Sequence, residues 1–254
     1  MRLDLFLVSR QLAVSRTQAQ DLIKAGFVVQ DDGGGDKVLK KPNYIVSEKE
    51  AEKIRIISND LQKYVSRGGS KLEMAMKKLA ISCASKNVLD VGQSTGGFTD
   101  FLVQNSAAKV VGIDVGHNQL HEKMRKHPDV TFFEGLHVKD LKKNDEFLQS
   151  VPQGGFDIIV MDVSFISITK VMLYLKEFLK KNGEYLFLVK PQFELTAQDL
   201  DRNGIVKNPK SYARVQINIE QEASLQFGNV ISYIACDLSG KDGNQEFFIY
   251  GKNV

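Results

Sequence analysis

Two kinds of apolar spacing divide the first sixty residues into predicted helices and strands. Apolar residues at helical spacing predict a first helix whose buried face carries Leu3, Leu5, Phe6 and Leu12. A second helix is predicted to begin at Ser15, where Ser15 and Gln18 form a capping-box pattern, and to end at Gly26. Its apolar face carries Ala19, Leu22 and Ile23. Short apolar runs at 27–29, 38–39 and 54–57 predict three strands, so this segment is expected to be a small α+β unit.

The pattern breaks between Gln62 and Gly69. Ser66-Arg67-Gly68-Gly69 is typical of a linker. The next four residues, Ser-Lys-Leu-Glu at 70–73, repeat the capping-box pattern and predict a helix with Lys71 in its first turn. A cation there opposes the helix dipole, so the position is locally unfavourable. We therefore predict an N-terminal domain over 1–60, a linker over 61–69 and a larger domain over 70–254.

From Asn87 onward, short apolar runs alternate with segments of helical spacing. The runs predict strands at 88–89, 110–113, 130–133, 158–161, 185–189 and 247–250. Such alternation is typical of a mostly parallel sheet with helices on both faces, so the predicted fold class is α/β. Gly243-Asn244, just before the last run, favours a hairpin near the C-terminus.

Composition narrows the class of protein. The 254 residues are 43% hydrophobic and 26% charged, which is typical of a globular protein. The longest apolar runs are far below the roughly 18 residues of a membrane-spanning helix, and the N-terminus lacks a signal-peptide pattern, so a cytoplasmic protein is expected. A net charge of +3 does not by itself indicate nucleic acid. Cys83 and Cys236 are expected in the core, and the scattered histidines predict no metal site.

A predicted strand, a glycine-rich loop and a helix start follow one another at 88–98. Glycines let the backbone approach a ligand closely, and such sheets bind ligands outside the carboxyl ends of their strands. The spacing Gly92-x-x-x-Gly96-Gly97 matches neither the dinucleotide nor the triphosphate loop, which favours a nucleoside without phosphates, S-adenosyl-L-methionine. Asp114 ends the next strand, 22 positions after Gly92, where a carboxylate typically binds ribose hydroxyls.

Ionisable residues end two further predicted strands, Asp162 after 158–161 and Lys190 after 185–189. Both are expected to open on the same crevice, and two such groups beside a cofactor indicate a reacting centre. Glu246, just before the last predicted strand, and Lys71 complete the candidate set.

The N-terminal segment resembles the S4-type RNA-binding domain, which is named after a small-subunit ribosomal protein. The matching residues are Arg2-Leu3-Asp4, Ser15-Arg16, Ala19, Ile23, Gly26 and Val28. From pattern alone, Ser15-Arg16 is equally well a helix start with a solvated cation. The resemblance favours RNA contact instead, with the candidate residues Arg2, Arg10, Ser15, Arg16 and Arg67.

Further motifs extend a resemblance from residue 2 to about residue 250. They are Val65-Ser66-Arg67-Gly68 with Lys71-Leu72, Ser94-Thr95-Gly96-Gly97-Phe98-Thr99, Asp162-Val163-Ser164-Phe165-Ile166-Ser167, Val189-Lys190-Pro191-Gln192-Phe193-Glu194, and Gly204-Ile205-Val206. Together they resemble the TlyA-type ribosomal RNA 2′-O-methyltransferases, often labelled hemolysin A. Members of that family look like an S4-type RNA-binding domain joined to a Rossmann-like, FtsJ-type methyltransferase domain.

The resemblance implies a site and a partner. It places a Lys-Asp-Lys-Glu catalytic set on Lys71, Asp162, Lys190 and Glu246. It places cofactor contacts on Asp90, Gly92, Ser94, Thr95, Gly96, Gly97, Phe98, Asp114 and Val115. The implied partner is ribosomal RNA or a ribosomal subunit, with a cytidine as target. The start at Met1 resembles the shorter members, which favours large-subunit RNA; the oligomeric state is left open.

The chemistry of a ribose 2′-hydroxyl requires a base, because the hydroxyl is a poor nucleophile until it loses its proton. An ordinary lysine is mostly protonated at pH 7, but a neighbouring cation and desolvation favour its neutral form, whereas nearby carboxylates oppose that change. Lys190 is predicted to be the base and Lys71 the neighbouring cation. Asp162 is predicted to orient Lys190, and Glu246 to position a lysine or the ribose.

Three residues depart from the family pattern. Gln93 stands where a small residue is usual and is expected to crowd the cofactor loop, Asn118 replaces an expected glycine, and His137 lies in a segment that replaces an expected basic pattern. These departures motivate an alternative, a non-catalytic ribosome-binding factor that has kept the fold. A third possibility, membrane lysis, has only the family label in its favour.

Overall fold

The computed structural model describes residues 1–24, 26–33, 35–56, 63–238 and 243–254. The chain divides into two compact units, Met1–Ser70 and Lys71–Val254. Three predictions fall outside the described residues. They are the end of the third strand at Ile57, the domain limit at residue 60 and the start of the linker at 61 and 62.

The first unit contains a three-stranded antiparallel sheet and short helices. Its elements are α1 (Leu3–Ser9), α2 (Arg16–Lys24), β1 (Val28–Asp31), β2 (Asp36–Val38), α3 (Glu48–Ala51) and β3 (Ile54–Ile56). The strand order is β2-β1-β3, and Val29 pairs with Val38 on one side and with Arg55 on the other. The two predicted helices and three predicted strands are therefore present in the described part of this unit.

The buried face of α1 differs from the predicted one. Leu3, Phe6 and Leu7 are buried, whereas Leu5 is 43% exposed and Leu12 lies beyond the end of the helix. The reason is geometric, because only positions three and four residues apart share a helix face. The predicted face of α2 is confirmed, with Ala19, Leu22 and Ile23 all buried, and Gly26, which follows α2, has a φ of 81°.

A fourth helix, α4 (Arg67–Lys78), begins three residues before the predicted N-cap at Ser70. The prediction that Lys71 occupies the first turn was therefore wrong. Gly69 also differs from its predicted linker role, because a Cβ on it would lie 2.4 Å from Cγ of the Tyr64 side chain. The glycine allows an aromatic ring to pack against the helix rather than marking a flexible segment.

The second unit is a seven-stranded sheet flanked by helices. After α4, its elements are β4 (Asn87–Val91), α5 (Gly97–Gln104), β5 (Lys109–Asp114), α6 (Glu122–Arg125), β6 (Val130–Glu134), α7 (Asp145–Ser150), β7 (Phe156–Met161), α8 (Ile168–Met172), β8 (Leu179–Val189), α9 (Pro191–Glu194), α10 (Lys210–Phe227), β9 (Gly228–Ala235) and β10 (Phe247–Asn253). Short 3-10 helices lie at Val138–Lys143, Lys176–Phe178 and Ala197–Asp199.

The strand order is β6-β5-β4-β7-β8-β10-β9, and the first five strands are parallel. β10 is antiparallel to both of its neighbours. The predicted mostly parallel α/β fold and the predicted late hairpin are confirmed. β9 was not predicted, because it lies at the sheet edge, has no fully buried position and so carries little apolar periodicity.

The sheet topology fixes where a ligand can bind. The chain order reverses at β4, which lies between β5 and β7, so the loops that follow these strands separate and leave a crevice at their carboxyl ends. α10 packs against β8 through aromatic rings. The ring centroid of Phe227 in α10 lies 4.7 Å from that of Tyr185 and 5.8 Å from that of Phe187. Both cysteines are buried, as predicted. None of the helices in the described part of the chain is long and apolar enough to span a membrane.

Candidate active site

A cavity of about 340 Å³ lies at the carboxyl ends of β4, β5 and β7. This volume is at the small end of the range typical of small-molecule sites. Asp114, His137 and Asp162 are its titratable lining residues among those described, and none of the lining residues is a lysine or arginine. A phosphate in this cavity would have no cation lining the wall, whereas a positively charged ligand would be stabilised by the two carboxylates.

Gly92 brings two loops of the cavity together. Its φ is 82°, and a Cβ at this position would lie 2.5 Å from the backbone oxygen of Asp162. The Asp162 N–H in turn donates to the Val91 carbonyl at 2.9 Å. Only glycine allows this approach, so the loop that follows β4 and the start of the loop that follows β7 form one backbone surface.

Asp114 ends β5 with its carboxylate on the cavity wall. It accepts the backbone N–H groups of Ser94 and Gly116, each at 2.7 Å. A carboxylate offers about four lone-pair positions, so two remain for hydroxyl groups of a ligand. Gln119 strengthens the same corner, because Ser94 Oγ donates to its Oε1 at 3.0 Å.

Gln93 does not crowd the cavity, and that expectation was wrong. Its side chain is buried and lies against Gly112, where a Cβ would come within 2.0 Å of the Gln93 Cδ. Its Nε2 donates to Thr99 Oγ1 at 2.8 Å. The larger side chain at position 93 therefore fills the space that the absent side chain of Gly112 leaves, on the side of the loop away from the cavity.

Asp90 is fully buried beneath the same loop and does not line the cavity. Thr99 Oγ1 donates to its Oδ2 at 2.6 Å. Burial raises the pKa of Asp90 to about 7, and the charges of Asp162 and Asp114 act in the same direction. Four more predicted cofactor residues lie off the cavity wall: Thr95, Gly96, Gly97 and Phe98. The cofactor contacts of all five stay predictions.

Glu134, at the end of β6, holds the loop that follows β5. Its carboxylate accepts the backbone N–H groups of Asn118, Gln119 and Leu120 at 2.8–3.1 Å and pairs with Arg125 at 2.6 Å. Burial alone would raise the pKa of Glu134, but these donors together lower it to about 2. Asn118 has a φ of 55°, which asparagine tolerates, so the expected glycine is replaced without blocking the loop.

Lys190 is held by two cavity-lining residues. Its Nζ lies 2.5 Å from Asp162 Oδ1 and donates to Ser164 Oγ at 2.9 Å. Asp162 follows β7 and Lys190 follows the adjacent strand β8, so the parallel register brings both side chains to the same edge of the sheet. The predicted orienting contact between these two residues is present.

A second lysine–carboxylate pair joins Lys71 of α4 to Glu246, which precedes β10. The Lys71 ammonium donates to Glu246 Oε2, and the two side chains are 10% and 4% exposed. Phe247 pairs with Val189, so continuing the antiparallel register by one residue sets Glu246 opposite Lys190. Opposite residues have Cβ atoms roughly 5 Å apart, which makes the two pairs neighbours at one strand end.

The two lysine–carboxylate pairs place four charged side chains at the edge of the cavity. They come from α4 and from the ends of β7, β8 and β10. The positions of Lys71 and Glu246 at this site do not follow from the local sequence, because both depend on long-range packing. Ser164 was missed as a partner of Lys190, although its place two residues after Asp162 was an available signal.

Phe165 lies on the rim of the cavity with its ring 91% exposed. Its φ is 65°, a conformation that is costly for a bulky residue. The Phe193 ring is 5.2 Å away between centroids and supports one side of Phe165. An aromatic face is thus presented to solvent beside the Lys190–Asp162 pair.

The predicted RNA-binding residues of the first unit have different surroundings. Arg2 and Arg16 both pair with Asp4, at 3.0 and 2.9 Å. Arg10 lies 5.7 Å above the Phe6 ring, Ser15 Oγ accepts the Gln18 N–H at 3.2 Å, and Arg67 lies 3.8 Å from Asp21. Ser15 thus has a helix-capping contact, and its RNA contact stays a prediction. In the described ranges there is no group of three or more His, Cys, Asp or Glu side chains arranged to hold a metal ion.

Comparison with known families assigns both parts of the chain. The model of the FtsJ-like methyltransferase family matches residues 64–253, and the S4 domain model matches residues 1–32. Hemolysin A of Brachyspira hyodysenteriae is 38% identical over 251 residues, which cover 98% of this chain and 99% of that protein.

Two further matches cover almost the whole chain. A Mycobacterium tuberculosis protein named 16S/23S rRNA (cytidine-2′-O)-methyltransferase TlyA is 35% identical over 98% of this chain and 88% of its own length. A solved structure from Streptococcus thermophilus that carries a hemolysin name has a TM-score of 0.76 and 30% identity, over 100% of this chain and 88% of that one. The family assignment made from the sequence motifs is confirmed: the chain belongs to the FtsJ-like methyltransferase family and, within it, to the TlyA and hemolysin A group.

Proposed function

We propose that this chain transfers a methyl group from S-adenosyl-L-methionine to the 2′-hydroxyl of a ribose in ribosomal RNA. The observation that carries the proposal is the contact of the Lys190 amine with Asp162 and Ser164. Both of these partners line a cavity of about 340 Å³. The cytidine in the printed name of the Mycobacterium tuberculosis relative supports cytidine as the target nucleoside. The 23S RNA in the same printed name supports large-subunit RNA as a substrate, and a ribosomal RNA substrate implies a cytoplasmic location.

S-adenosyl-L-methionine fits the residues that line the cavity. Asp114 has free acceptor positions for ribose hydroxyls, and Ile113, Leu136 and Val138 provide an apolar surface for a planar base. Gly92 and Asp162 both line the cavity, and Gly92 adds no side chain that would occupy it. When bound, this cofactor supplies an electrophilic methyl group on a cationic sulfur, and the acidic lining suits that charge.

In the proposed mechanism Lys190 removes the proton from the 2′-hydroxyl. To do so it must be neutral, and Nζ would then accept the hydroxyl proton as the ribose oxygen bonds to the methyl carbon. The carbon–sulfur bond of the cofactor would break in the same step, and S-adenosylhomocysteine would leave. Asp162 stabilises the ammonium that results, because its Oδ1 lies 2.5 Å from that nitrogen. Ser164 accepts a hydrogen bond from the same nitrogen and so fixes its direction.

Lys71 and Glu246 are proposed to support this centre rather than to exchange the proton. Their side chains are almost completely buried and already satisfy one another. A buried, hydrogen-bonded pair of this kind holds its neighbours in one arrangement and adds no net charge near Lys190. In this respect the proposal differs from the simple picture of Lys71 as a bare neighbouring cation.

The first unit is proposed to bind the RNA substrate. The S4 domain match supports this role, and Arg2, Arg10, Arg16 and Arg67 are the proposed contacts, together with Ser15. We propose that residues 1–60 carry RNA binding and that residues 70–254 carry methyl transfer. The predicted linker over 61–69 is not retained, because α4 begins within it at Arg67. Phe165 is proposed to contact a base near the target, because exposed aromatic rings commonly stack on nucleobases.

The test is transfer of a labelled methyl group to ribosomal RNA and to each ribosomal subunit, all isolated without prior methylation. We expect label on a ribose 2′-oxygen of the large-subunit RNA, and none with Lys190→Met. Absence of label from every substrate at saturating cofactor would overturn the enzyme proposal. Leakage from dye-loaded liposomes at the same protein concentration would instead favour a lytic activity.

A further inference from the structure

Asp4 is the buried centre of a cluster of cations on the first unit. Its side chain is fully buried. Arg2 donates to it through Nε and Nη2, both at 3.0 Å, and Arg16 donates through Nε at 2.9 Å. Gln20 Nε2 and the Leu5 N–H complete its partners, each at 3.0 Å. One carboxylate thus holds two guanidinium groups, which leaves the cluster with one net positive charge.

The two arginines remain open to solvent although Asp4 is not. Their side chains are 41% and 55% exposed for Arg2 and Arg16. Within the described residues, Nη1 of Arg2 and both Nη atoms of Arg16 donate no hydrogen bond. A guanidinium whose Nε side is fixed presents its remaining N–H groups in a rigid, planar array that suits phosphate oxygens.

We propose that Asp4 is a positioning residue that holds Arg2 and Arg16 ready to bind phosphate groups of RNA. This inference rests on the proposed RNA substrate and adds how the first unit recognises it. An arginine side chain loses rotamer entropy when it is fixed, and binding is tighter when folding has already supplied that ordering.

The sign of one substitution separates positioning from simple attraction. Asp4→Asn removes a negative charge, so attraction by net charge alone predicts tighter RNA binding. Positioning predicts the opposite, because the asparagine amide turns a donor toward the guanidinium groups and releases them. A purely structural role of Asp4 predicts loss of thermal stability with no specific effect on RNA affinity in the folded protein.

The experiment measures the affinity of the full chain for large-subunit ribosomal RNA transcribed in vitro, over a range of salt concentrations and without cofactor. For Asp4→Asn we expect about tenfold weaker binding and a salt dependence that is less steep by about one counterion per lost phosphate contact. Asp36→Asn is the matched control, since it removes the same charge from an exposed pair with Arg55 in the same unit. It should leave the affinity unchanged or slightly higher.

Arg16→Lys is the second variant and keeps the proposal testable if Asp4→Asn does not fold. It preserves the charge but cannot bind Asp4 and a phosphate at once, so we expect several-fold weaker binding. In methyl transfer, both variants should raise KM for RNA and leave kcat and S-adenosylhomocysteine binding unchanged. Unchanged or tighter RNA binding by both variants would overturn the positioning role. Failure of the wild-type chain to methylate any RNA would instead overturn the proposed function. The binding assay does not depend on methylation, so it tests the positioning role separately.

Discussion

Strands β7 and β8 carry a lysine–aspartate pair at each end, and the two pairs differ in their surroundings. At the amino ends, Lys180 Nζ lies 2.7 Å from Asp157, which also accepts the Asn87 N–H at 2.8 Å. At the carboxyl ends, Lys190 lies 2.5 Å from Asp162. Only the second aspartate lines the cavity. The same side chains on the same strands are thus expected to be structural at one end and reactive at the other.

An ion pair at a sheet edge does not by itself indicate catalysis. Parallel strands send their carboxyl ends to one edge, where the order reverses at β4 and leaves space for a ligand. Asp157 and Lys180, at the amino ends, do not line this cavity. The position in the topology, rather than the chemistry of the pair, therefore separates the two.

Replacing Lys190 and Lys180 in turn is expected to give the largest difference in kcat. Lys190→Met should lower kcat for methyl transfer by about 10³-fold, because a positioned base typically contributes between 10² and 10⁴. Lys180→Met removes the same group from the other end of the strand pair and should change kcat less than about twofold, since exposed pairs contribute little. Radiolabel transfer at saturating RNA measures both, and calorimetry with S-adenosylhomocysteine checks that each variant still binds ligand. Equal kinetic losses in the two variants would contradict the assignment of the reactive end.

The buried pair at the same edge offers a test of stability. Glu246→Gln leaves the 10%-exposed Lys71 side chain without its carboxylate, and breaking a buried pair in this way typically costs about 3–5 kcal/mol of unfolding free energy. Urea denaturation should show that loss. The double variant Lys71→Met with Glu246→Leu should recover most of the stability but not the activity, because packing can replace the pair whereas its polar support of Lys190 cannot be replaced. Full activity in the stable double variant would remove both residues from the site.

Asp90 shows the effect of burying a carboxylate without a cation. Its pKa is raised to about 7 from the ordinary 3.8, first by burial and further by the charges of Asp162 and Asp114. The folded state therefore binds a proton at Asp90 more tightly than the unfolded state does, so the contribution of Asp90 to stability is fully present below pH 3.8 and is lost as the pH rises toward 7. Denaturation at several pH values should show that this contribution falls by about 4 kcal/mol across the window, and that Asp90→Asn abolishes the loss. A parallel pH profile in the variant would contradict the shifted pKa.

The sequence predicted most of the sheet, and it also supplied four candidate site residues, on different grounds. Buried parallel strands have continuous apolar runs, so β4, β5, β7 and β8 could be recognised, whereas the half-exposed edge strand β9 could not. The four candidate positions came from family motifs and stay predictions, and the strand-end rule alone supports only Asp162 and Lys190.

Details that depend on packing were not predictable. Gln93 was expected to obstruct the cofactor loop because its size is visible in the sequence, but the space that accepts it is created by Gly112 on a neighbouring strand. The start of α4 was misplaced for a similar reason, since Gly69, a residue type typical of a linker, allows Tyr64 to pack against the helix. The loop clamp at Glu134 likewise depends on three backbone groups whose positions the sequence does not encode locally.

The smallest expected effect on kcat comes from removing the hydroxyl group of Ser164. This serine contacts Lys190 and has no counterpart described beside Lys180. Ser164 Oγ accepts a hydrogen bond from Lys190 Nζ at 2.9 Å, whereas Lys180 has no serine partner among the described residues. Ser164→Ala should lower kcat about tenfold, because one neutral hydrogen bond contributes roughly 1 kcal/mol and the amine also loses its direction. Thermal stability should be unchanged, since the serine is largely exposed. Ser164→Thr keeps the hydroxyl and should restore most of the rate, whereas equal losses in the alanine and threonine variants would point to a steric role of this position instead of the hydrogen bond.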